Sequence, residues 1–178
     1  HIELGSDAVV IPAPAGDASA AMILLPNASG IEYADFVLDP QSQNGLLRDI
    51  GSIEPPVARG AAWTTLWEEV QEGRLAAGLY LDTALRELPA EQNELIINRV
   101  LGTLDESYWL RLDTQARLAV SGPLEAMLWR EVESTLRDTS ARAAFYRSYR
   151  ALATTDTGVE RLIRLWEGDE EVAGLPLS

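Results

Sequence analysis

The chain has 178 residues, and it carries 28 acidic against 14 basic residues for a formal net charge of −14. This length suits one domain or two small ones, and the charge argues against binding to nucleic acid or to an anionic membrane surface. All 14 basic residues are arginine, cysteine is absent, and the only histidine is His1. The sequence therefore offers no thiolate or imidazole zinc site, no cysteine or lysine nucleophile and no serine–histidine–aspartate triad.

Residues 1–39 predict a small β unit, part of a β-sandwich or a hairpin. Three short β-favouring runs, at 8–11, 21–25 and 31–38, are bounded by Pro, Gly, Asn and Asp. Residues 27–30 join the last two runs and tolerate left-handed backbone, so they predict a turn. Asp39 is then expected to cap a helix that begins at Pro40.

Residues 40–178 predict a helical-repeat domain. Apolar residues recur there with a helical period, and Gly73, Pro89, Gly122–Pro123 and Gly168 are expected to end helices. With the helix after Asp39, the pattern predicts about eight helices joined by short links, which favours stacked antiparallel hairpins in an α-solenoid or a bundle. The predicted fold class is therefore mainly α. The apolar stripes are Trp63, Leu66, Trp67 and Val70; Leu81, Ala84, Leu85 and Leu88; Ile97, Val100, Leu101 and Leu104; Trp109, Leu112, Ala116 and Ala119; Leu124, Leu128, Val132 and Leu136; Ala141, Phe145, Tyr149 and Leu152; and Val159, Leu162, Ile163 and Trp166.

Neighbouring carboxylates are the first feature with two interpretations. Two positioned acids could perform glycosidase chemistry, but helical spacing places most of these on polar faces, which favours a solvated surface. The groups are Glu68–Glu69, Glu131 with Glu133, and 169–171.

Tryptophans and arginines also allow two interpretations each. Trp63 and Trp67 lie one turn apart and could form a ligand platform, but their apolar neighbours favour a place in the core. Five arginines near the C-terminus could anchor a carboxylate by bidentate contacts, although ion pairs with the surplus acids are favoured. These are Arg142, Arg147, Arg150, Arg161 and Arg164.

Several short motifs, spread over residues 20–178, recur in an order and spacing that is informative as a set. They are 24–33 with Phe36 and Asp39; Arg59 with Trp63, Leu66, Trp67, Glu68 and Gly73; Tyr80, Leu81, Leu88 and Glu91; 121–124 with Trp129; Phe145–Tyr146; and Arg161, Leu162, Leu165 and Trp166. The set resembles the C-terminal region of aminopeptidase N-type zinc metallopeptidases. There, a Pro-Asn-x-x-Gly-x-x-Tyr hairpin leads into helical repeats, the first of which reads Trp-x-x-Leu-Trp-x-x-Val-x-x-Gly.

The resemblance implies a non-catalytic segment of a larger hydrolase, in which the helical-repeat domain of residues 40–178 is expected to be truncated at its C-terminus. The family's His-Glu-x-x-His helix and Gly-x-Met-Glu-Asn loop are absent from the chain, so the expected fragment has no catalytic residues, no metal ligands and no cofactor. The parent protein is expected to cleave N-terminal residues from peptides with zinc. The expected partners are the catalytic domain of the same polypeptide and the peptide substrate, with no nucleic acid and no membrane segment.

Arg147 and Arg150 are the candidates for contacting the carboxylate of the substrate, as a hypothesis drawn from the arginine-rich later helices. The expected role of the helical domain is to wall the active-site chamber and to help peptides reach it. The alternative is a helical-repeat scaffold that binds a partner protein or peptide and has no enzymatic parent. Cytoplasmic and periplasmic locations are both compatible with the sequence.

Overall fold

The computed structural model describes residues 23–30 and 35–175. Within these residues the chain forms seven α-helices, a 3-10 turn at Ile50–Ser52 and a π-helical turn at Ser107–Arg111. The prediction of a mainly helical fold is confirmed. The helices are α1 (Pro40–Asp49), α2 (Pro56–Gln71), α3 (Ala77–Glu87), α4 (Glu94–Glu106), α5 (Thr114–Glu133), α6 (Thr139–Leu152) and α7 (Asp156–Glu167).

The predicted β unit has no support in the described residues. The run 8–11 and residues 21–22 and 31–34 lie outside them, and neither 23–25 nor 35–38 is a strand. The backbone of residues 23–25 instead meets α1: the Leu24 N–H donates to the Ser42 hydroxyl at 3.0 Å. A side chain of a helix therefore takes the backbone bond that a neighbouring strand would have made.

The turn and the helix start that follow it are as predicted. The Gly30 N–H donates to the Asn27 carbonyl at 2.8 Å, and Gly30 has a φ of +72°, a left-handed conformation that glycine adopts without strain. The Asp39 carboxylate accepts the N–H groups of Gln41 and Ser42, which lie in the first turn of α1. These bonds lower the pKa of Asp39, the Ser42 hydroxyl bond most of all.

The helices pack as a bundle around one core. Helix α5 packs on α6, α6 also contacts α4, α4 contacts α2, and α1 lies on α2 and α3. The links 72–76, 88–93, 134–138 and 153–155 between successive helices are short, as the sequence predicts. Short links confine neighbouring helices to direct contact, which is how their apolar stripes become buried.

An aromatic cluster lies at the centre of the core. Trp63 and Trp67 on α2 both contact the ring of Tyr80 on α3, with ring centroids 5.5 and 5.6 Å apart. Both indoles are almost fully buried. The core interpretation of the two tryptophans is therefore confirmed, and no indole face is free to act as a ligand platform.

The predicted helix break at Gly122–Pro123 is wrong, because α5 runs through it. Pro123 lacks the N–H that would bond to the carbonyl of Ala119 in a regular helix. Pro123 and Ala119 are both exposed, so water can bond to that carbonyl. On the opposite side of the helix, Leu124 and Leu128 are fully buried, and this packing outweighs the loss of one exposed hydrogen bond.

The predicted helix that begins at Trp109 is also wrong. A π-helical turn at Ser107–Arg111 is followed by an extended residue, Leu112, with φ −95° and ψ 142°. Asp113 then caps α5, because its carboxylate accepts the N–H of Ala116 at 2.8 Å. Of the residues in the two stripes that the sequence assigns to separate helices, five lie on α5, Trp109 lies in the π-helical turn, and Leu112 and Leu136 lie in links. The five are Ala116, Ala119, Leu124, Leu128 and Val132.

Replacement of Trp63 by alanine is expected to lower the free energy of unfolding by about 3–5 kcal/mol, because the buried indole leaves a cavity. Trp166→Ala is the matched control: Trp166 is 90% exposed against 2% for Trp63, so its loss should change stability by less than about 0.5 kcal/mol. Urea unfolding followed by circular dichroism measures both values. Equal changes for the two variants would contradict the described core.

Candidate functional site

Arg147 lines a cavity between α4 and α6. The cavity has a volume of about 340 Å³, and its polar lining includes Asn98, Asp105 and Ser148. The side chain of Arg147 is exposed, and no carboxylate of the described residues lies within ion-pair distance of it. The apolar lining of the cavity consists of Leu101, Ala144, Ala151 and Leu152.

This arrangement suits a small ligand group that has both a carboxylate and an apolar part. A free guanidinium offers parallel N–H donors that match the two oxygens of a carboxylate. The volume lies at the lower end of the range of small-molecule sites, about 300–1,000 Å³, so the cavity suits one or two residues of a peptide rather than a long segment. Arg150 is exposed on the same helix but does not line the cavity.

The other three arginines of the predicted cluster have separate roles. Arg142 donates to the carbonyls of Val132 and Ala173 at 2.7 and 2.8 Å. Arg161 and Arg164 both bind the carboxylate of Glu170, at 3.2 and 2.9 Å. The ion-pair interpretation is confirmed for Arg161 and Arg164, and the five arginines do not form one anion site.

Two carboxylates that the sequence assigns to a solvated surface are buried, so that interpretation is wrong for them. Glu69 accepts bonds from the amide of Gln43 at 2.9 Å and from Arg74 at 2.7 Å. Glu131 accepts a bond from Arg137 at 2.9 Å. Each is occupied by a cation, which is a structural arrangement and not that of a free acid–base pair.

Arg137 is a residue that sequence reasoning missed. Its guanidinium is buried beside the loop that joins α3 to α4, where it donates to the carbonyls of Leu88, Pro89 and Glu91. The neighbouring Leu136 is exposed. The charged residue is therefore buried and the apolar one faces solvent, the reverse of what their polarity predicts. No periodic signal could reveal this, because both lie in the link between α5 and α6.

Glu91 belongs to the same loop and is held from the other side by α2. The guanidinium of Arg59 donates two hydrogen bonds to the Glu91 carboxylate, at 2.7 and 2.9 Å. The backbone N–H groups of Gln92 and Asn93 donate to the same carboxylate at 2.9 and 2.8 Å. Burial acts to raise the pKa of Glu91, but the bonds from Arg59, Asn93 and Gln92 together outweigh it and hold the pKa below the ordinary 4.5.

A larger cavity of about 830 Å³ lies beside α2 and is acidic. Its lining includes Asp35, Glu68 and Glu72, together with Asn27 and Phe36. Burial, and next the charge of Asp35, raises the pKa of Glu68. Across the described residues no three His, Cys, Asp or Glu side chains are grouped to hold a metal, and no described helix is long and apolar enough to cross a bilayer.

Comparison with known proteins gives no match: no protein-family model, no curated protein and no solved structure is significantly similar to the chain.

The stability of the chain is expected to fall as the pH drops below about 4.5, in part because Glu91 must take up a proton. A carboxylate whose pKa is lower in the folded chain stabilises it above the unfolded pKa, and this stabilisation is lost as the pH falls through the folded pKa. Glu91→Gln should weaken that dependence and lower stability at pH 7. The midpoints of urea unfolding at pH 3.5–7 measure the stability of the parent chain and of the variant. Parallel curves for the variant and the parent chain would contradict the role of this carboxylate.

Proposed function

We propose that the chain is a non-catalytic helical segment of a zinc-dependent aminopeptidase, in which it walls the active-site chamber and helps peptide substrates reach it. The observation that supports this is the placement of part of the motif set: Arg59 contacts Glu91, Trp63 contacts Tyr80, and Arg161 contacts Trp129, whereas Trp166 is 90% exposed. Such mutual contacts are what a motif that encodes a fold would produce.

The first group of motif residues meets at the centre of the bundle. Arg59 on α2 binds Glu91 at the end of the α3–α4 loop, 32 residues away. Trp63 on α2 packs edge-on against Tyr80 on α3. Gly73 ends α2 with a φ of +72°, which a side chain would strain. The first repeat-like motif is therefore the set of residues that joins α2 to α3 and α4.

The later motif residues form a second group. The guanidinium of Arg161 on α7 lies 4.4 Å from the ring centroid of Trp129 on α5, in a cation–π contact. The Ser121 hydroxyl lies 2.7 Å from that of Tyr108, and Phe145 on α6 is fully buried. The first contact joins α7 to α5, and the second joins α5 to the π-helical turn at Ser107–Arg111.

The described residues do not fit a zinc site. Zinc in hydrolases is held by imidazole and carboxylate ligands with one position left open, and residues 23–30 and 35–175 contain no histidine and no grouped ligand set. On this proposal the zinc and the hydrolytic step belong to the catalytic domain of the parent protein. The part left to this chain is to orient the peptide, with Arg147 or Arg150 as the group that binds its carboxylate.

The chain alone is expected to prefer a peptide with a free C-terminal carboxylate over the same peptide with a C-terminal amide, by about threefold to tenfold in Kd. Anisotropy of a fluorescein-labelled peptide measures both affinities. Arg147→Gln should remove the difference, and Arg150→Gln should reduce it if the second arginine takes part. Arg130→Gln, at an exposed arginine of α5, is the matched control and should leave the difference unchanged.

Equal affinity of the wild-type chain for both peptides would contradict the carboxylate role. So would a preference that survives in the Arg147→Gln and Arg150→Gln variants. Measurable binding with the same affinity for the carboxylate and the amide peptide would favour the alternative, a helical scaffold without an enzymatic parent.

The purified chain is expected to hold no stoichiometric zinc after dialysis and to release no product from aminoacyl anilides, because it lacks cysteine and has no histidine beyond His1. Plasma emission spectrometry and a chromogenic assay measure these quantities. One tightly bound zinc per chain, or hydrolysis that persists through a second purification, would contradict a non-catalytic role.

A further inference from the structure

Helix α7 carries an apolar stripe that the described residues do not cover. Val159, Ile163 and Trp166 recur at positions i, i+4 and i+7, which places them on one face of the helix. They are 42%, 49% and 90% exposed. Two other apolar residues of α7, Leu162 and Leu165, pack against the core. The helix is thus apolar on the side that is covered and also on the side that faces solvent.

A row of carboxylates runs beside this stripe. Asp156, Glu160 and Glu167 are exposed, and none of them forms an ion pair with a described residue. At about 100° per residue, all three project within about 60° of Ile163. The solvent-facing side of α7, formed by these six residues, is therefore both apolar and anionic; it is called the α7 face below.

The arginines of the same helix do not neutralise this face. Arg161 projects about 160° from Ile163, on the opposite side of the helix, and Arg164 about 100° from it, at the edge of the acidic row; the structure pairs both with Glu170. Arg161 also covers Trp129. The charge of the three carboxylates is left for an outside group to balance.

The start of α7 is fixed to α5 by hydrogen bonds. The buried carboxylate of Glu125 on α5 accepts the N–H groups of Thr154 and Thr155, at 2.7 and 2.9 Å, just before α7 begins. The Thr155 hydroxyl caps the helix by accepting the N–H of Gly158. A Cβ added at Gly158 would lie 2.2 Å from the Glu125 carboxylate and would displace it. A surface fixed in this way loses little entropy when a partner binds.

We propose that the α7 face binds an amphipathic helix of a partner protein, one that carries arginine or lysine beside its own apolar stripe. An apolar row at i, i+4 and i+7 matches the ridge that packs against a second helix, and an exposed tryptophan is the usual anchor of such contacts. The anionic row selects a basic partner. A second copy of the chain would place like charges together, and an anionic membrane would be repelled. This inference is independent of the proposed function, because it requires no enzymatic parent.

The test uses two labelled 18-residue amphipathic peptides that differ only in charge. Both carry leucine at heptad positions a and d; one has arginine at e and g, and the other has glutamate there. We expect the arginine peptide to bind the full chain at least tenfold more tightly in anisotropy titrations at 100 mM salt. Its binding should weaken as salt is raised, since ionic strength screens the charged row.

Substitutions then locate the binding on α7. Trp166→Ala and Ile163→Ser should each weaken binding of the arginine peptide by at least fivefold, whereas Leu95→Ser, at an 81% exposed leucine of α4, should leave it unchanged. These sites are exposed, so circular dichroism spectra should match the parent chain. Equal weakening by all three substitutions would overturn the proposal.

Charge reversal supplies the decisive variant. Glu160→Arg combined with Glu167→Arg should invert the preference and make the glutamate peptide the tighter ligand. Asp82→Arg with Glu133→Arg changes the net charge equally at exposed sites of α3 and α5, and it should keep the original preference. If the control pair inverts the preference too, attraction to the whole acidic chain explains the binding and the proposal fails.

Two other occupants of the α7 face, a second copy of the chain and a lipid surface, are tested separately, and finding either one would overturn the proposal. Sedimentation velocity at 10–100 µM should show a monomer, and a dimer that Trp166→Ala dissociates would assign the face to a second copy. Flotation with phosphatidylcholine vesicles should recover no chain. Binding to vesicles that Trp166→Ala abolishes would assign the face to a lipid surface.

Discussion

The loop that joins α3 to α4 is held by two arginines that come from opposite directions in the sequence. Arg59 on α2 binds the side chain of Glu91, and Arg137, after α5, binds the loop's backbone carbonyls and Glu131. Each arginine thereby connects a different part of the bundle to the same six-residue link. The start of α4, and with it the wall of the Arg147 cavity, depends on where this loop lies.

Arginine suits this place for a chemical reason. A buried charge costs several kcal/mol of hydration unless partners replace the water. The planar guanidinium of Arg137 has five N–H donors in a fixed plane and reaches three carbonyls and one carboxylate. The three donors of a lysine ammonium could not satisfy the same set of acceptors. In this chain arginine is the only cationic side chain besides His1. Two of the 14 arginines, Arg59 and Arg137, connect the α3–α4 loop to other parts of the bundle.

The helical period made the elements predictable where one face of a helix is buried. The stripes of α2, α3, α4 and α6 were confirmed because apolar burial alone defines them. The period failed at α5 for two reasons. The burial of Leu124 and Leu128 outweighs the hydrogen bond that Pro123 removes, and the Asp113 carboxylate caps a new helix after the π-helical turn. Asp113 directly precedes Thr114, and aspartate is a preferred N-cap residue, so this helix start carries a signal in the sequence.

Side-chain partners were the part that the sequence could not supply. Spacing placed Glu69 and Glu131 among ordinary surface acids, but Arg74 and Arg137 reach them through turns whose paths no local pattern encodes. For Arg147 the sequence indicated a candidate carboxylate contact, together with Arg150, within an arginine-rich region. The structure separates it from Arg142, Arg161 and Arg164, which have partners, and places it at a cavity.

A double-mutant cycle on Arg59 and Arg137 tests most directly whether one loop joins the two parts of the bundle. Arg59→Met, Arg137→Met and the double variant are compared with the parent chain by urea unfolding at pH 7. If both arginines hold the same loop, the loss in the double variant should differ from the sum of the single losses by more than about 0.5 kcal/mol. Losses that add within about 0.3 kcal/mol would show two independent sites and contradict the account.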